Sequence, residues 1–138
     1  MANSTHSNTN LIDQKSEQQL LQQSPDELKP YPGNARKHDE KQLAALMASI
    51  REFGFNTVIT TNEEGMVLAG HGRLEAAKRL GLSSVPTRVL EGLTKAQQRA
   101  YVLADNQTSL MSTWDNDQLR IELDQLVMED FNIELTGF

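Results

Sequence analysis

Cysteine is absent from the 138 residues, which removes disulfides, thiolate zinc sites, cysteine nucleophiles and iron–sulfur clusters together and fits a cytoplasmic chain. Long apolar runs are absent too. The stretches that exist are short, as in Val67-Leu68-Ala69, and the first residues are polar, with no basic start leading into an apolar segment. No membrane span and no secretory signal are expected from such a pattern. Histidine is scarce: His6, His38 and His71 are too few and too far apart in sequence for a zinc site. Neither a Walker A sequence nor GxGxxG occurs. What remains is 38 % hydrophobic and 23 % charged residues, near globular averages and enough for one domain of ordinary size with a tail.

The formal net charge of -6 is unevenly spread. Residues 31–100 hold ten Lys/Arg against seven Asp/Glu, a balance of +3, whereas residues 101–138 hold Arg120 alone against eight acids, a balance of -7. Bulk charge therefore gives no support for strong non-specific DNA binding, while the middle of the chain can still carry a local basic site. An acidic final helix folded over that middle region would compete with phosphate for it.

Three parts are expected along the chain. Residues 1–24 are dominated by Asn, Ser, Thr and Gln and read as a disordered polar tail, with Leu11, Ile12, Leu20 and Leu21 able at most to form a transient amphipathic turn. Residues 25–112 form the folded domain, and residues 113–138 an acidic C-terminal helix and tail. Within the domain, Pro30, Pro32 and Gly33 suit a short extended piece and a turn. A helix over 39–53 follows from the capping-box spacing of Asp39 and Gln42 and from Leu43, Leu46, Ile50 and Phe53 on one face, with Gly54 as its stop. A hairpin is predicted from 57–61 and 66–69, then a helix over 74–80 closed by Gly81, a strand at 85–90, and a helix from Thr94, capped with Gln97, to about residue 110. Asp115 or Asn116 caps a last helix whose apolar face holds Leu119, Leu123 and Leu126. The class is α+β, a small mixed sheet with flanking helices.

Gly70-His71-Gly72-Arg73 sits where a predicted strand hands over to a predicted helix. Two glycines let the backbone turn sharply and approach a ligand, the first helical N–H groups have no partners, and Arg73 adds a positive fork, so the turn can cradle phosphate. It can equally be a tight connection with Arg73 in solvent. Arg36-Lys37-His38 before the first helix has the same two readings, phosphate contact or solvated cluster. Asp105-Asn106 pairs a carboxylate with an amide oxygen, donors suited to magnesium beside phosphate oxygens. Neighbouring helical residues diverge by about 100°, however, which favours one buried and one solvated side chain.

Taken in order, the run Asn34 to Asp39, the helix end Ser49 to Gly54, the segment Val67 to Gly81, the strand around Val85-Pro86 and Ala104-Asp105-Asn106 resemble the ParB/sulfiredoxin-like domain over residues 26–112. The resemblance implies that fold, and a nucleoside triphosphate, CTP or ATP, bound with magnesium between the arginine-bearing turn and the acid–Asn box. Carried onto this chain, the nucleotide residues are Arg36, Gly70, His71, Gly72, Arg73 and Asn106, and the metal residues are Asp105 and Asn106. The sequence departs from the family's Gly-Glu-Arg-Arg turn at His71 and Gly72, and matches only Gly54 of its Gly-x-x-Gln-Pro box. Sulfiredoxin places its catalytic cysteine in this turn, where the present chain has His71 or its neighbour, so sulfinic acid repair is rejected. The Gly-His-Gly-Arg form is similar to the ParB-like domains of phage and prophage proteins and of the N-terminal parts of DNA methyltransferases.

The favoured function is a nucleotide-binding module with a DNA-associated role, acting with a partner protein, a further domain or a second copy of itself. The alternative is an enzyme of the same fold, a DNA nuclease or an ATP-dependent phosphotransferase. Only Glu75 and Asp105 lie near the motifs, too few carboxylates for a two-metal site.

Overall fold

The computed structural model describes residues 19–138. Four short strands, β1 (Leu21–Gln23), β2 (Ile59–Thr61), β3 (Val67–Ala69) and β4 (Val85–Val89), form one mixed sheet in the order β1-β4-β2-β3. β4 runs antiparallel to β1 and parallel to β2, and β2 runs antiparallel to β3 with a bulge between Thr60 and Thr61. The helices are α1 (Glu40–Phe53), α2 (His71–Leu80), α3 (Lys95–Met111) and α4 (Asn116–Met128). This is the α+β class with flanking helices. Among the described residues no helix is long and apolar enough to cross a membrane.

The core is built where α2 crosses one face of the sheet. Ile59, Val67 and Val85 are fully buried there and meet Leu74 and Ala77 of α2 together with Leu28. Burying each Val, Leu or Ile side chain stabilises by about 1.5–3 kcal/mol. On the opposite face Leu68 is buried, and α3, whose one buried residue is Val102, packs against β3 there. Helices α1 and α2 form the most extensive contact between elements. Arg79 on α2 reinforces it with a two-pronged bond to Glu40 on α1, at 2.6 and 3.0 Å, and a 3.2 Å bond to Glu75 on its own helix. These pairs hold the exposed Glu40 carboxyl below the usual carboxylate range and raise the Arg79 guanidinium.

Helix ends follow local chemistry. Thr94 and Gln97 form the predicted reciprocal box, with the Gln97 N–H donating to Thr94 Oγ1 at 3.1 Å and the Thr94 N–H donating to Gln97 Oε1 at 2.9 Å. Asp39 caps α1 by accepting from the Gln42 N–H at 2.7 Å. The return half of that box is missing, because the Gln42 side chain is taken by His38 Nδ1 at 2.7 Å. Gly54 and Gly81 stop α1 and α2 at positive φ.

Three expectations need correction. Leu21–Gln23, placed by its composition in the polar tail, is an edge strand paired with β4. An edge strand needs backbone partners and no apolar payload, and the fully buried Thr87 hydroxyl anchors this one by donating to Gln23 Oε1 at 2.8 Å. The rest of that tail, with Leu11 and Ile12, lies outside the described residues apart from Gln19, Leu20 and Ser24. Helix α2 starts at His71, not Leu74, so Gly72 and Arg73 belong to its first turn. The acidic last helix is not buried against the basic middle: α4 has no buried residue, and it is the closing turn Ile133–Thr136 that reaches that middle, by packing on α1. Trp114 meets Phe138 edge to face, with ring centroids 5.1 Å apart.

Gly70 is the position at which glycine is required on two counts. Its φ is +100°, and an added Cβ would lie 3.2 Å from Ile59 Cγ1, in a backbone region that costs other residues about 1–2 kcal/mol. Gly70→Ala is expected to lower unfolding stability by about 1–3 kcal/mol with an unchanged fold, read by urea titration; an unchanged midpoint would refute the packing argument.

Candidate functional site

The β3–α2 junction opens onto a cleft of about 380 Å³. Gly70 brings the chain off the sheet edge and starts α2 without offering any side-chain cap. Leu74 supplies the first N–H that returns to the Gly70 carbonyl, at 2.9 Å. The N–H groups of His71, Gly72 and Arg73 therefore carry the positive end of the helix dipole with no intrahelical acceptor. Arg73 and Arg36 both line the cleft. Arg36 reaches it from the segment before α1, where Asn34 Oδ1 accepts the Arg36 N–H at 3.2 Å and folds the chain into a tight turn.

The facing wall is α3, which contributes Tyr101, Asp105, Asn106 and Ser109. Asp105 is exposed and Asn106 half-buried, yet both border the cleft, so their divergence around the helix does not separate them as the local geometry alone suggested. Asn106 Nδ2 donates to the Val102 carbonyl at 2.9 Å, which turns its amide oxygen outward from that bond. A carboxylate and an amide oxygen side by side are hard donors that suit magnesium. Among the described residues no group of three or more His, Asp or Glu side chains is placed to hold a metal, so a cation here would take its remaining ligands from a bound molecule and water.

All seven residues singled out in the sequence thus reach one cleft, but two of them do a different job from the one expected. The His71 ring is engaged by the fold: its Nε2 accepts the Tyr31 N–H at 3.3 Å, while its main-chain N–H, which has no intrahelical acceptor, stays available to a ligand. Gly72 is small for a packing reason, since a Cβ there would lie 2.9 Å from His38 Nδ1 and 3.1 Å from Leu46 Cδ1. His38, Gln42, Thr57, Thr60, Tyr101 and Ser109 were not assigned to the site from sequence, although His38 stood in the basic cluster. Only the contact between α3 and the sheet brings Tyr101 and Ser109 in. None of residues 113–138 lines the cleft.

Burial depresses the His71 pKa below 6.5, and the nearby His38 pushes it the same way against the Val67 carbonyl. A ring kept neutral by the fold stabilises it fully above the unfolded pKa, and that contribution is lost as pH falls below 6.5 towards the folded value. Stability is expected to drop as pH falls below 6.5, and His71→Asn to flatten that slope. Equal slopes in urea titrations of the two proteins would show that His71 is not the titrating group.

Comparison with known proteins bears on the family and the fold. The ParB N-terminal domain model matches residues 9–107, starting upstream of the resemblance read from the motifs and taking in β1. The ParB-like nuclease domain-containing protein YnaK of Escherichia coli K12 is 47 % identical over 73 residues, covering 53 % of this chain and 84 % of that protein. The chromosome-partitioning protein ParB of Caulobacter crescentus, solved in a C-terminally truncated form complexed with CTP-gamma-S, superposes with a TM-score of 0.72 at 23 % identity over 86 % of this chain and 69 % of that one. Sulfiredoxin from Arabidopsis thaliana gives 0.50 at 23 % identity over 61 % of this chain and 97 % of that one. At such identities the two structures show the fold, and the family model, which matches most of the chain, shows that the chain belongs to the ParB N-terminal domain family.

Proposed function

We propose that the cleft binds a nucleoside triphosphate, CTP or ATP, with magnesium, and that the chain works as a cytoplasmic nucleotide-binding module associated with DNA. The observation that carries this reading is the opposition of two walls across one cleft: Arg36, Arg73 and the uncapped start of α2 on one side, Asp105 and Asn106 on the other. The first wall supplies N–H donors and fixed positive charge for phosphate oxygens. The second supplies hard oxygen donors for a cation shared with those phosphates. Magnesium, when bound, would neutralise phosphate charge between the walls. Support also comes from the ParB relative of the same fold that was solved with CTP-gamma-S.

Isothermal titration calorimetry with CTP and ATP, with and without magnesium, tests the reading. Arg73→Ala is expected to weaken binding tenfold or more, the equivalent of a charge-assisted contact of about 1.5–3 kcal/mol. Asp105→Asn is expected to remove the gain in affinity that magnesium brings. No heat from either nucleotide at millimolar concentration would sink the proposal.

The family membership supports a DNA-associated role, and charge limits it. With +3 in residues 31–100 and -7 in residues 101–138, the chain alone should hold duplex DNA weakly, its specificity coming from a partner protein, a further domain or a second copy. Leu103, Leu110 and Met111 of α3 are exposed and provide apolar surface for such a partner. Fluorescence anisotropy with duplex DNA should show weak binding that fades as salt rises. Tight binding at physiological salt by the chain alone would contradict the charge argument.

A further inference from the structure

We propose that Tyr101 is the base-stacking residue of the cleft and so the contact that holds the nucleoside end of the nucleotide; the inference rests on the nucleotide-binding reading above. Tyr101 is the one Tyr, Phe or Trp among the described residues that line the cleft. It is half-buried, so part of its ring is open. Among the described residues its hydroxyl takes no hydrogen-bond partner, whereas Asn106 on the same helix bonds back to the Val102 carbonyl.

Its position along α3 suits the role. Tyr101 precedes Asp105 by four residues, which places both on one face of the helix with their Cα atoms about 6 Å apart along the axis. With the phosphates held between the α2 turn and Asp105, a nucleoside extending one helical turn towards the start of α3 meets Tyr101. The lining of the cleft also changes character. Arg36 and Arg73 bring charge to it, whereas Val58 brings apolar surface beside the buried Leu68, and Leu68 belongs to β3, the strand on which α3 packs. A nucleobase has flat apolar faces, and stacking on an aromatic ring is tolerant of which base is bound. The chemistry required is therefore a purine or pyrimidine ring attached to a polyphosphate, and selectivity for one base must come from groups at its edge.

The competing role for Tyr101 is packing alone, since its neighbour Val102 is a buried anchor of α3. Probes that carry or lack a base separate the two. Affinities for CTP, ATP and inorganic tripolyphosphate, each with magnesium, are measured for the unaltered chain and for Tyr101→Leu, Tyr101→Phe and Arg73→Ala. Tyr101→Leu is expected to weaken the bound nucleotide about tenfold or more while changing tripolyphosphate affinity by less than about twofold. Tyr101→Phe should stay within about threefold of the unaltered chain for both, and Arg73→Ala should weaken both.

Equal losses of nucleotide and tripolyphosphate in Tyr101→Leu, or no loss of either, would overturn the stacking role while leaving the phosphate site standing. An unaltered chain that binds tripolyphosphate as tightly as nucleotide overturns it in the same way. Binding of neither probe brings down both proposals. Should Tyr101→Leu fail to fold, as read by circular dichroism, the unaltered chain carries the test by NMR: the Tyr101 ring protons must shift on adding nucleotide and stay in place on adding tripolyphosphate, and the reverse pattern refutes the assignment.

Discussion

The left-handed turn at Gly70, pressed against Ile59 with no room for a side chain, sets where α2 begins and therefore where everything else in the domain can sit. From that point α2 lies over the fully buried face of the sheet through Leu74 and Ala77 and carries Arg79 to Glu40 on α1. Because Gly72 is also bare, α1 and the His38 ring approach the first turn of α2 to near contact. A single backbone reversal thus closes the core on one side and leaves three main-chain N–H groups pointing into a cleft on the other.

Charge is arranged around that reversal in a way that bulk composition hides. The chain is acidic as a whole, yet the cleft sets Arg36 and Arg73 against one carboxylate, Asp105. Most of the acids in the last forty residues lie on the exposed surface of α4 and the turn after it, held to the body through the packing of Ile133–Thr136 on α1. None of residues 113–138 lines the cleft, so the charges that border it are the two arginines, Asp105 and the start of α2. The His71 ring, engaged by Tyr31 and Val67, contributes rigidity to this wall: it ties the Tyr31 turn to the start of α2 across 40 residues of sequence.

What the sequence determined by itself was local. Thr94 with Gln97, Asp39, Gly54 and Gly81 mark helix ends because caps and stops act within four residues, and each of these marks a helix boundary in the structure. The β-branched run at 57–61, the turn at Asn62–Gly65 and the apolar run at 66–69 likewise announce the hairpin. The order of the boxes was enough to recognise the fold, and the seven residues picked out by those boxes do meet in one cleft.

Tertiary structure alone decided the remainder. The Gln-rich segment Leu21–Gln23 becomes a strand because Thr87, 64 residues away from Gln23, offers a buried hydroxyl and β4 an open edge, and no local pattern encodes a partner at that separation. Gly72 looks in sequence like a residue kept small for a ligand, whereas its space is filled by His38 and Leu46 of another segment. His71 looks like a ligand-binding ring until the Tyr31 N–H occupies its Nε2. Asp105 and Asn106 diverge around their own axis, and it is the packing of α3 against β3 that lays both, with Tyr101, along the same cleft. In each case the deciding contact joins residues far apart in the chain, and the side chain's role is set by which partner reaches it first in space.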